Sequence, residues 1–324
     1  MGTRDLKNST VLITGAAGFI GGFLAESLVD RCDVYGAVQG SEKTDFLPDK
    51  VKVNKCDISV YEEVENLLEE SKPKVIFHLA AQSVPTISYM RPKETFRTNV
   101  EGTINIFEVL KKHKLDSLVV ITGTSGEYGL TLAEPEYQKR PPKEDAPLRP
   151  VHPYGISKAA KEMLAINYYA NYGLNTIVAR LFNTIGPRKE NDLPSDIAKQ
   201  IARTEKGLQE AKLYMGNLDA KRAYADVRDV AEALILLAEK GTSGQIYNLC
   251  SRTVLSVNEL LNLFLKKTSI TPEIIVDQKK LRPYDEPIIW GDPSKLENAT
   301  GWRTKIPINK TVEDILDFWR KCYR

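Results

Sequence analysis

The chain has 324 residues, of which 42% are hydrophobic and 27% charged, and its formal net charge is +2. This balance is that of an ordinary globular protein, and the length suits one large unit or two domains that share a core. Because no basic block occurs and no apolar run approaches the roughly 18 residues of a membrane span, neither nucleic acid nor a membrane is an expected partner.

Cysteine usage is typical of a reducing compartment. No signal peptide precedes the first predicted strand, and the cysteines are scattered without metal-ligand spacing. They are Cys32, Cys56, Cys250 and Cys322. We therefore expect reduced thiols, a cytoplasmic location and no metal site.

A glycine-rich turn follows the first predicted strand. Gly15, Gly18 and Gly21 stand three apart, between this strand and an amphipathic helix predicted over 19–31. Such a turn is typical of the pyrophosphate site of a dinucleotide, because glycine lets the backbone approach the phosphates and free helix N–H groups face the anion. The predicted cofactor contacts here are Gly15, Gly18, Phe19 and Ile20.

A second glycine string has the same spacing in another context. Gly123, Gly126 and Gly129 follow a strand predicted over 117–122, yet the segment 130–135 after them has no helical pattern. Because this motif indicates a nucleotide site only between a strand and a helix, we expect no phosphate here.

The first 182 residues alternate between strand and helix patterns. After the first strand, further strands are predicted over 34–38, 51–57, 75–81, 117–122 and 176–181. Ser59 and Glu62 predict a capping box at one of the intervening helices, and His78 is expected to be a packed core residue. The alternation predicts an α/β fold with a Rossmann-type doubly wound parallel sheet, whose strand ends converge on one ligand cleft.

The second half of the chain alternates less regularly. Helical patterns at 195–206, 227–240, 257–267 and 311–320 are interspersed with short strands such as 245–249. We expect a smaller mixed α/β domain over the cleft, with one or two elements returning to the sheet. The predicted dinucleotide-binding domain is 1–182 plus about 223–253, and the predicted substrate domain is about 183–222 plus 254–324.

The ends of the inner strands supply the remaining cofactor residues. An acidic residue at the end of the second strand would bind the ribose hydroxyls and repel a 2′-phosphate. Gln39 is neutral there, and Ser41 and Lys43 follow within reach of a phosphate, although a solvated loop accounts for Lys43 equally well. NADP(H) is therefore preferred and NAD(H) possible. The predicted contacts are Gln39, Asp57, Ile58, Leu79, Ala80 and Ala81.

Tyr154 and Lys158 form the predicted proton-transfer pair, because i,i+4 spacing puts both side chains on one helix face. A phenol has a pKa of about 10, and one ammonium at about 4 Å supplies on the order of 4 kcal/mol at an effective dielectric constant near 20. The lysine, with some help from an oxidised nicotinamide, is therefore expected to bring that pKa near 7. Thr124, just beyond the fifth strand, is placed to donate to the same substrate oxygen. Tyr89 and Lys93 have the same spacing, but Pro92 puts Tyr89 outside any helix that contains Lys93.

Taken together, these motifs resemble an extended short-chain dehydrogenase/reductase of the nucleotide-sugar-modifying kind, over essentially the whole chain. The resemblance is carried by TGAAGFIG at 14–21, HLAAQ at 78–82, TSGEYG at 124–129, YGISK at 154–158 and RLFN at 180–183. In that family the matching threonine, tyrosine and lysine are the catalytic triad. The resemblance therefore implies catalytic roles for Thr124, Tyr154 and Lys158.

The C-terminal half resembles the GDP-sugar branch, which includes GDP-mannose 4,6-dehydratases and GDP-4-keto-6-deoxymannose reductases. The matching segments are 216–229, 281–287 and 291–295. This resemblance implies a GDP-linked sugar substrate, a homodimer formed through helices near 99–113 and 154–173, and arginines on the diphosphate, although such an arginine alone is more often a surface ion-pair partner. The implied substrate contacts are Gln82, Ser83, Thr124, Ser125, Asn183, Arg222, Arg282 and Glu286.

Reductase and dehydratase differ in one position. Eliminating water across C5 and C6 of a hexose needs a carboxylate, which dehydratases resembling this chain carry two residues after the catalytic threonine. Gly126 stands there, and Glu127 is expected to point to the opposite face of an extended segment. We therefore favour NADPH-dependent reduction of a C4 ketone. A dehydratase or epimerase with a retained NAD(P), and a non-catalytic nucleotide-binding protein, are the alternatives.

Overall fold

The computed structural model describes residues 4–40, 42–280 and 286–323. The described strands are β1 Thr10–Thr14, β2 Asp33–Val38, β3 Lys52–Lys55, β4 Val75–His78, β5 Leu118–Thr124, β6 Thr176–Leu181, β7 Asn183–Ile185, β8 Lys212–Met215, β9 Lys221–Asp226, β10 Ile246–Leu249, β11 Val254–Ser256, β12 Glu273–Val276 and β13 Ile288–Ile289. The described helices are α1 Phe19–Leu28, α2 Tyr61–Ser71, α3 Pro85–Met90, α4 Pro92–Phe96, α5 Gly102–Lys112, α6 Pro135–Lys139, α7 Pro153–Tyr172, α8 Leu193–Glu205, α9 Val227–Lys240, α10 Val257–Leu265, α11 Ser294–Thr300 and α12 Ile308–Cys322.

Seven strands form one parallel sheet in the order β3-β2-β1-β4-β5-β6-β10. The chain runs outward from β1 to β3, returns to β4 beside β1, and then runs outward in the other direction. The reversal between β1 and β4 is the switch point at which open α/β sheets bind their ligands. The predicted Rossmann-type doubly wound sheet is confirmed.

Helices cover both faces of this sheet, as the apolar strands require. Val11 and Ile13 pack in the cluster that holds α1 and α9, whereas Leu12 between them packs with α2, α5 and α7. Successive strand side chains alternate between faces, so each strand contributes to both cores. Full burial of one such side chain contributes about 1.5–3 kcal/mol. The helix predicted over 227–240 is α9, which with β10 returns the second half of the chain to the sheet.

The remaining elements form a smaller mixed unit. Strand β9 pairs with β7, β11 and β13, and β8 pairs with β12. Helices α8, α10 and α12 bury one cluster against these strands, with Ile197, Leu260 and Ile315 fully buried. This matches the mixed α/β character that the irregular pattern predicts.

The start of α2 differs from its prediction. The helix begins at Tyr61 with Val60 as its N-cap and no side-chain cap. Asp57 holds Ser59 instead, because Asp57 Oδ1 accepts hydrogen bonds from the Ser59 amide (2.9 Å) and hydroxyl (2.7 Å). The predicted capping box is wrong, because the N-cap of α2 is Val60 and Ser59 lies one residue before it, in a turn held by Asp57.

All four cysteines are free thiols. Within the described ranges, no helix is long and apolar enough to cross a membrane. Among the same residues, no three His, Cys, Asp or Glu side chains come together as ligands for a metal ion.

Candidate active site

A cleft of about 1420 Å³ opens at the carboxyl ends of β1, β2, β4 and β5. Its lining brings together nearly all the predicted site residues from across the chain. These are Gly15, Gly18, Phe19, Ile20, Gln39, Asp57, Ile58, Leu79, Ala80, Ala81, Gln82, Ser83, Thr124, Ser125, Tyr154, Lys158, Asn183 and Glu286. Arg222 does not line it, and Arg282 lies outside the described residues.

The first glycine turn packs closely against backbone atoms, which leaves no room for side chains. Gly15 has φ +70°, and a Cβ there would lie 3.0 Å from the Ala80 backbone. A Cβ on Gly21 would lie 2.3 Å from the Gly15 carbonyl oxygen. Gly18 is the N-cap of α1, and its capping position has no side-chain hydrogen bond. The first N–H groups of α1 therefore face the cleft, and glycine leaves room before them, which fits a dinucleotide pyrophosphate.

The end of β2 carries an acid that the sequence argument overlooked. Glu42 lines the cleft, and its Oε2 accepts a hydrogen bond from the Gln39 amide at 2.8 Å. Gln39 Nε2 in turn donates to Asp57 Oδ2 at 3.3 Å. The signal was an acidic residue four positions beyond the strand, which becomes visible as a site residue only when its carboxylate reaches back to Gln39. A carboxylate here suits ribose hydroxyls better than a 2′-phosphate.

Helix α7 brings the predicted proton-transfer pair into the cleft. His152 is its N-cap, and Tyr154 and Lys158 follow on one face, with Lys158 Nζ 5.8 Å from the Tyr154 ring centroid. The Tyr154 hydroxyl is hydrogen-bonded to Thr124. Tyr89 lies in α3 and Lys93 in α4, so the second tyrosine–lysine pair does not share a helix, as predicted.

Burial changes the acidity of both groups. Loss of hydration raises the pKa of Tyr154 to about 12, and the buried Glu127 carboxylate adds to this rise, although the Thr124 hydrogen bond opposes it. Loss of hydration also lowers the pKa of Lys158 to about 8. The expected pKa near 7 includes help from an oxidised nicotinamide. In the protein alone, Lys158 Nζ donates to the Thr122 carbonyl (2.8 Å), and desolvation of the phenolate dominates.

Below this pair, buried polar groups tie α7 to the sheet. Lys161 Nζ donates to the His78 carbonyl at 3.4 Å, and Thr122 Oγ1 donates to the same oxygen at 3.3 Å. The His78 ring is fully buried between the hydroxyls of Thr14 (2.8 Å) and Thr103 (3.0 Å). His78 is therefore a packed core residue, as predicted.

The second glycine string begins a tight turn in place of the expected extended segment. Ser125–Glu127 is a 3-10 turn, and Leu130–Ala133 forms another. Glu127 is fully buried, its Oε1 accepts from the Thr124 amide at 2.6 Å, and its Oε2 lies 3.6 Å from Arg180 Nε. Burial and the neighbouring Glu162 raise the pKa of this carboxyl well above its usual range. The carboxylate is turned inward, but by helical geometry rather than by strand alternation.

His152 is a cleft residue that the sequence argument missed. Its imidazole stacks on Tyr154 with ring centroids 5.8 Å apart and planes at 17°. A Cβ on Gly126 would lie 3.1 Å from His152 Cε1 and 3.3 Å from His152 Nε2. The signal was its position two residues before Tyr154, the predicted proton donor, where a residue must cap α7.

Three of the predicted substrate residues donate side-chain hydrogen bonds to nearby backbone carbonyls. Asn183 Nδ2 donates to the Ala223 carbonyl at 3.3 Å, and Gln82 Nε2 donates to the Val84 carbonyl at 3.0 Å. Arg222 Nη1 donates to the backbone carbonyl of Glu286 at 2.8 Å. Arg222 therefore contacts a residue of the cleft lining without lining the cleft itself.

A Rossmann-type sheet with a glycine turn at β1 and a Tyr–Lys pair on α7 defines the class of extended short-chain dehydrogenases/reductases. Comparison with known proteins agrees and narrows the class. A family model described as GDP-mannose 4,6 dehydratase matches residues 12–315. The chain belongs to this family, and it is an NAD(P)-dependent enzyme of the nucleotide-sugar type.

Individual relatives cover nearly the whole chain. GDP-6-deoxy-D-mannose reductase of Pseudomonas aeruginosa is 29% identical over 97% of this chain and 98% of its own. GDP-mannose 4,6 dehydratase 1 of Arabidopsis thaliana is 28% identical over 94% of this chain and 88% of its own. Among solved structures, RMD from Pseudomonas aeruginosa complexed with NADPH has a TM-score of 0.85 at 28% identity, covering 97% of this chain and 100% of that one. UDP-glucose 4-epimerase of Thermotoga maritima with UDP-glucose also has a TM-score of 0.85, at 25% identity, covering 97% and 99%.

Proposed function

We propose that this protein reduces the C4 ketone of a GDP-linked 4-keto-6-deoxyhexose with NADPH. The similarity to the Pseudomonas aeruginosa reductase along both chains supports this substrate class. The observation that carries the choice of reaction is the turn after Thr124, where Gly126 has no side chain and the Glu127 carboxylate is buried beside Arg180. That turn offers the sugar no carboxylate base for the C5 proton, whereas the groups for proton transfer at C4 are kept.

The chain's own residues suit the reductive direction. When bound, NADPH supplies the hydride to C4. Tyr154 stays protonated at neutral pH, because its pKa is raised to about 12, and it gives its proton to the C4 oxygen. Thr124 hydrogen-bonds the same oxygen and orients the carbonyl. Lys158, held on the Thr122 carbonyl, stabilises the phenolate left behind and binds the nicotinamide ribose.

The cofactor assignment follows the first glycine turn and the relatives. NADP(H) is preferred, which the NADPH complex of the Pseudomonas aeruginosa structure supports. NAD(H) remains the second cofactor, which Glu42 at the end of β2 favours. We propose the same domain bounds as predicted from the sequence, with the cofactor domain at 1–182 plus about 223–253 and the substrate domain at about 183–222 plus 254–324. Arg222 and Arg282 are proposed to bind the nucleotide diphosphate.

The decisive assay mixes the protein with NADPH and GDP-4-keto-6-deoxymannose and follows nicotinamide absorbance at 340 nm. We expect one NADPH oxidised for each sugar reduced. No stoichiometric oxidation would contradict the reductase. A 4-keto product from GDP-mannose alone, with no net NADPH use, would instead establish the dehydratase that the family description and the Arabidopsis relative make the second candidate.

We also propose a homodimer in the cytoplasm, in which α5 and α7 of two copies pack together. The outward face of α7 supports this, since its large apolar side chains are exposed by 40% or more. They are Ile156, Met163, Ile166, Tyr169 and Tyr172. Light scattering of the wild type and of Met163→Glu tests it, because a buried charge at such a face should give monomers. Free thiols at all four cysteines suit a reducing compartment.

A further inference from the structure

Arg180 lies between two buried carboxyl groups, those of Glu127 and Glu162, and none of the three side chains is more than 3% exposed. Arg180 Nε and Nη2 donate to the two oxygens of Glu162 at 2.7 and 2.6 Å. Nη1 donates to the Tyr128 hydroxyl (2.8 Å) and the Glu144 carbonyl (2.9 Å). Every nitrogen of the guanidinium therefore has a hydrogen-bond partner before Glu127 is considered.

Glu127 is left with one oxygen that receives no hydrogen bond. Oε1 accepts from the Thr124 amide at 2.6 Å, but among the described residues no group donates to Oε2, which is buried. A buried carboxylate oxygen without a donor is costly. Glu162 lies within hydrogen-bonding reach of Glu127, and two carboxyl groups so close together can share one proton.

A shared proton resolves both the geometry and the charge of this cluster. As an acid, Glu127 donates its O–H to Glu162, and the guanidinium with one remaining carboxylate then carries no net charge. In agreement, burial and the charge of Glu162 raise the pKa of Glu127 well above its usual range, although Arg180 opposes this.

The charged and titratable groups that face Glu127 lie on α7 and β6. A negative charge on Glu127 raises the pKa of Tyr154, so it would make this phenol a weaker acid and would repel the phenolate left after proton transfer. The same charge would attract the two nearby lysines. A neutral acid at 127 avoids the repulsion. The facing groups are Tyr154, Lys158, Lys161, Glu162 and Arg180.

The cluster also joins the two segments that carry the proposed catalytic groups. Glu127 holds the amide of Thr124, whose side chain is hydrogen-bonded to the Tyr154 hydroxyl. Glu162 lies on α7, one turn after Lys158, and is held by Arg180. The turn after β5 and the helix therefore meet at these two carboxyl groups.

We propose that Glu127 is a positioning residue: as a neutral acid that shares its proton with Glu162, it holds the Thr124 backbone so that the Thr124 hydroxyl stays beside Tyr154. Glu127 does not line the cleft, so it acts through Thr124. Its part in turnover rests on the proposed function, whereas its protonation state is measurable without turnover.

Two substitutions of matched length separate this role from simple filling of space. Glu127→Gln keeps a carbonyl that accepts from Thr124 and an amide that donates to Glu162, whereas Glu127→Met keeps neither. With NADPH and GDP-4-keto-6-deoxymannose, Glu127→Met should lower kcat about ten- to hundredfold, as expected for a misplaced group at the reacting centre. Glu127→Gln should restore kcat to within about threefold of the wild type. The NADPH Kd of both variants should stay within about threefold of the wild type.

A double substitution tests whether Glu127 acts through Thr124. In a Thr124→Val background the hydroxyl to be positioned is absent. Adding Glu127→Met should therefore lower kcat less than about threefold further, since coupled residues are not additive. A purely structural role would instead give the full loss in both backgrounds.

Thermal unfolding against pH reports the shared proton directly. The unfolded chain loses the Glu127 proton near the ordinary value of 4.5, whereas the folded wild type keeps it. Folding must then take up a proton, so the stability from this group falls as the pH rises above that value. Glu127→Gln has no such uptake. We expect its Tm relative to the wild type to be constant in acid and to increase by a few degrees toward neutral pH.

Other results would overturn the proposal. A Tm difference that does not change with pH, or one that favours the wild type as the pH rises, would contradict the neutral acid. Wild-type kcat in Glu127→Met, or full additivity with Thr124→Val, would contradict the positioning role. Should Glu127→Met fail to fold, a loss of more than about tenfold in the kcat of Glu127→Gln would contradict it as well. If the wild type oxidises no NADPH with the keto sugar while the pH-dependent Tm difference persists, the reductase assignment fails and the neutral acid stands.

Discussion

The turns at 15–21 and 123–129 have the same glycine spacing. They differ in the atoms that a Cβ added to their glycines would meet. In the first turn those atoms are backbone, with Ala80 before Gly15 and the Gly15 carbonyl before Gly21. Backbone cannot step aside without moving a strand or a helix. The first turn therefore accepts only glycine if the fold is to keep its cofactor site.

The second turn meets side chains at the two glycines nearest the chemistry. Glu127 Oε1 lies 2.6 Å from a Cβ on Gly123, and the His152 ring lies 3.1 Å from one on Gly126. Side chains can be exchanged without refolding the sheet. The same glycine spacing therefore forms a turn that packs against backbone in the first case. In the second case it forms a turn whose neighbours are side chains. If this division holds, changes at the first turn act on cofactor affinity, whereas changes around the second act on turnover.

The largest effect is expected for Tyr154→Phe. Removing the proposed proton donor should lower kcat about 10²- to 10⁴-fold, the usual contribution of a positioned acid. Fluorescence titration should give an NADPH Kd within about threefold of the wild type, since the phenyl ring remains. Unchanged turnover would refute the proton-donor role. A loss of NADPH affinity as large as the loss of turnover would contradict the separate roles of the two turns.

Gly21→Ala tests the first turn. Its Cβ would lie 2.3 Å from a backbone oxygen, and overpacking of this kind costs about 1–3 kcal/mol. We expect a lower melting temperature and an NADPH Kd raised about tenfold. Gly22→Ala is the matched control, because the nearest atom to its Cβ, the Ala16 carbonyl oxygen, is 4.0 Å away. If the two variants have equal melting temperatures and equal NADPH affinities, close backbone packing does not explain the need for glycine at this turn.

A pH profile tests the groups beside the second turn. Burial lowers the pKa of Lys158 to about 8, so its ammonium is present below this pH and lost above it. We expect kcat/KM to fall as the pH rises through about 8, by about tenfold per unit. Lys158→Arg keeps its charge at all these pH values, so the alkaline fall should disappear from that variant at a lower plateau. An alkaline fall that persists in Lys158→Arg belongs to another group.

Gly126→Ala should have a moderate effect confined to the sugar. Its Cβ presses on the His152 ring, so the imidazole must move by a few tenths of an ångström. Because this ring is stacked on Tyr154, we expect kcat/KM to fall about three- to tenfold, with NADPH Kd unchanged. A loss of NADPH affinity as large as that of Gly21→Ala would show that the two turns are not independent.

The smallest effect is expected for Lys161→Met. Burial, followed by the charge of Lys158, holds the pKa of Lys161 well below its usual value, and the ammonium form therefore costs stability at neutral pH. Replacing such a group with an apolar one removes this cost, so we expect Tm to rise by a few degrees at most. The gain should shrink as the pH rises toward 10.5, where the unfolded chain also loses this proton. A lower Tm at pH 7 would show that the hydrogen bond to His78 outweighs desolvation.

The sheet and the first turn could be predicted because their signals are local. Strand runs, helical periods and glycine spacing are read within about 20 residues. The side-chain directions at the second turn could not be predicted, because they depend on distant partners. Glu127 turns toward Arg180 of β6, and His152 is positioned by its cap of α7 and its stacking on Tyr154. Ser59 does not cap α2 for the same reason, because its turn with Asp57 places the start of the helix one residue later. Sequence therefore predicts which segments reach the cleft better than which atoms face it.

Gly123 and the buried pair behind it constrain the order in which this protein can change. The Glu127 carboxylate occupies the space that a Cβ on Gly123 would need, and Arg180 lies beside it while its main partner is Glu162, at 2.6 Å. A side chain at 123 therefore requires the fully buried Glu127 to move or to be replaced by a shorter residue. A change at position 123 therefore involves a second, buried residue, whereas a change at position 126 meets the His152 ring in the cleft.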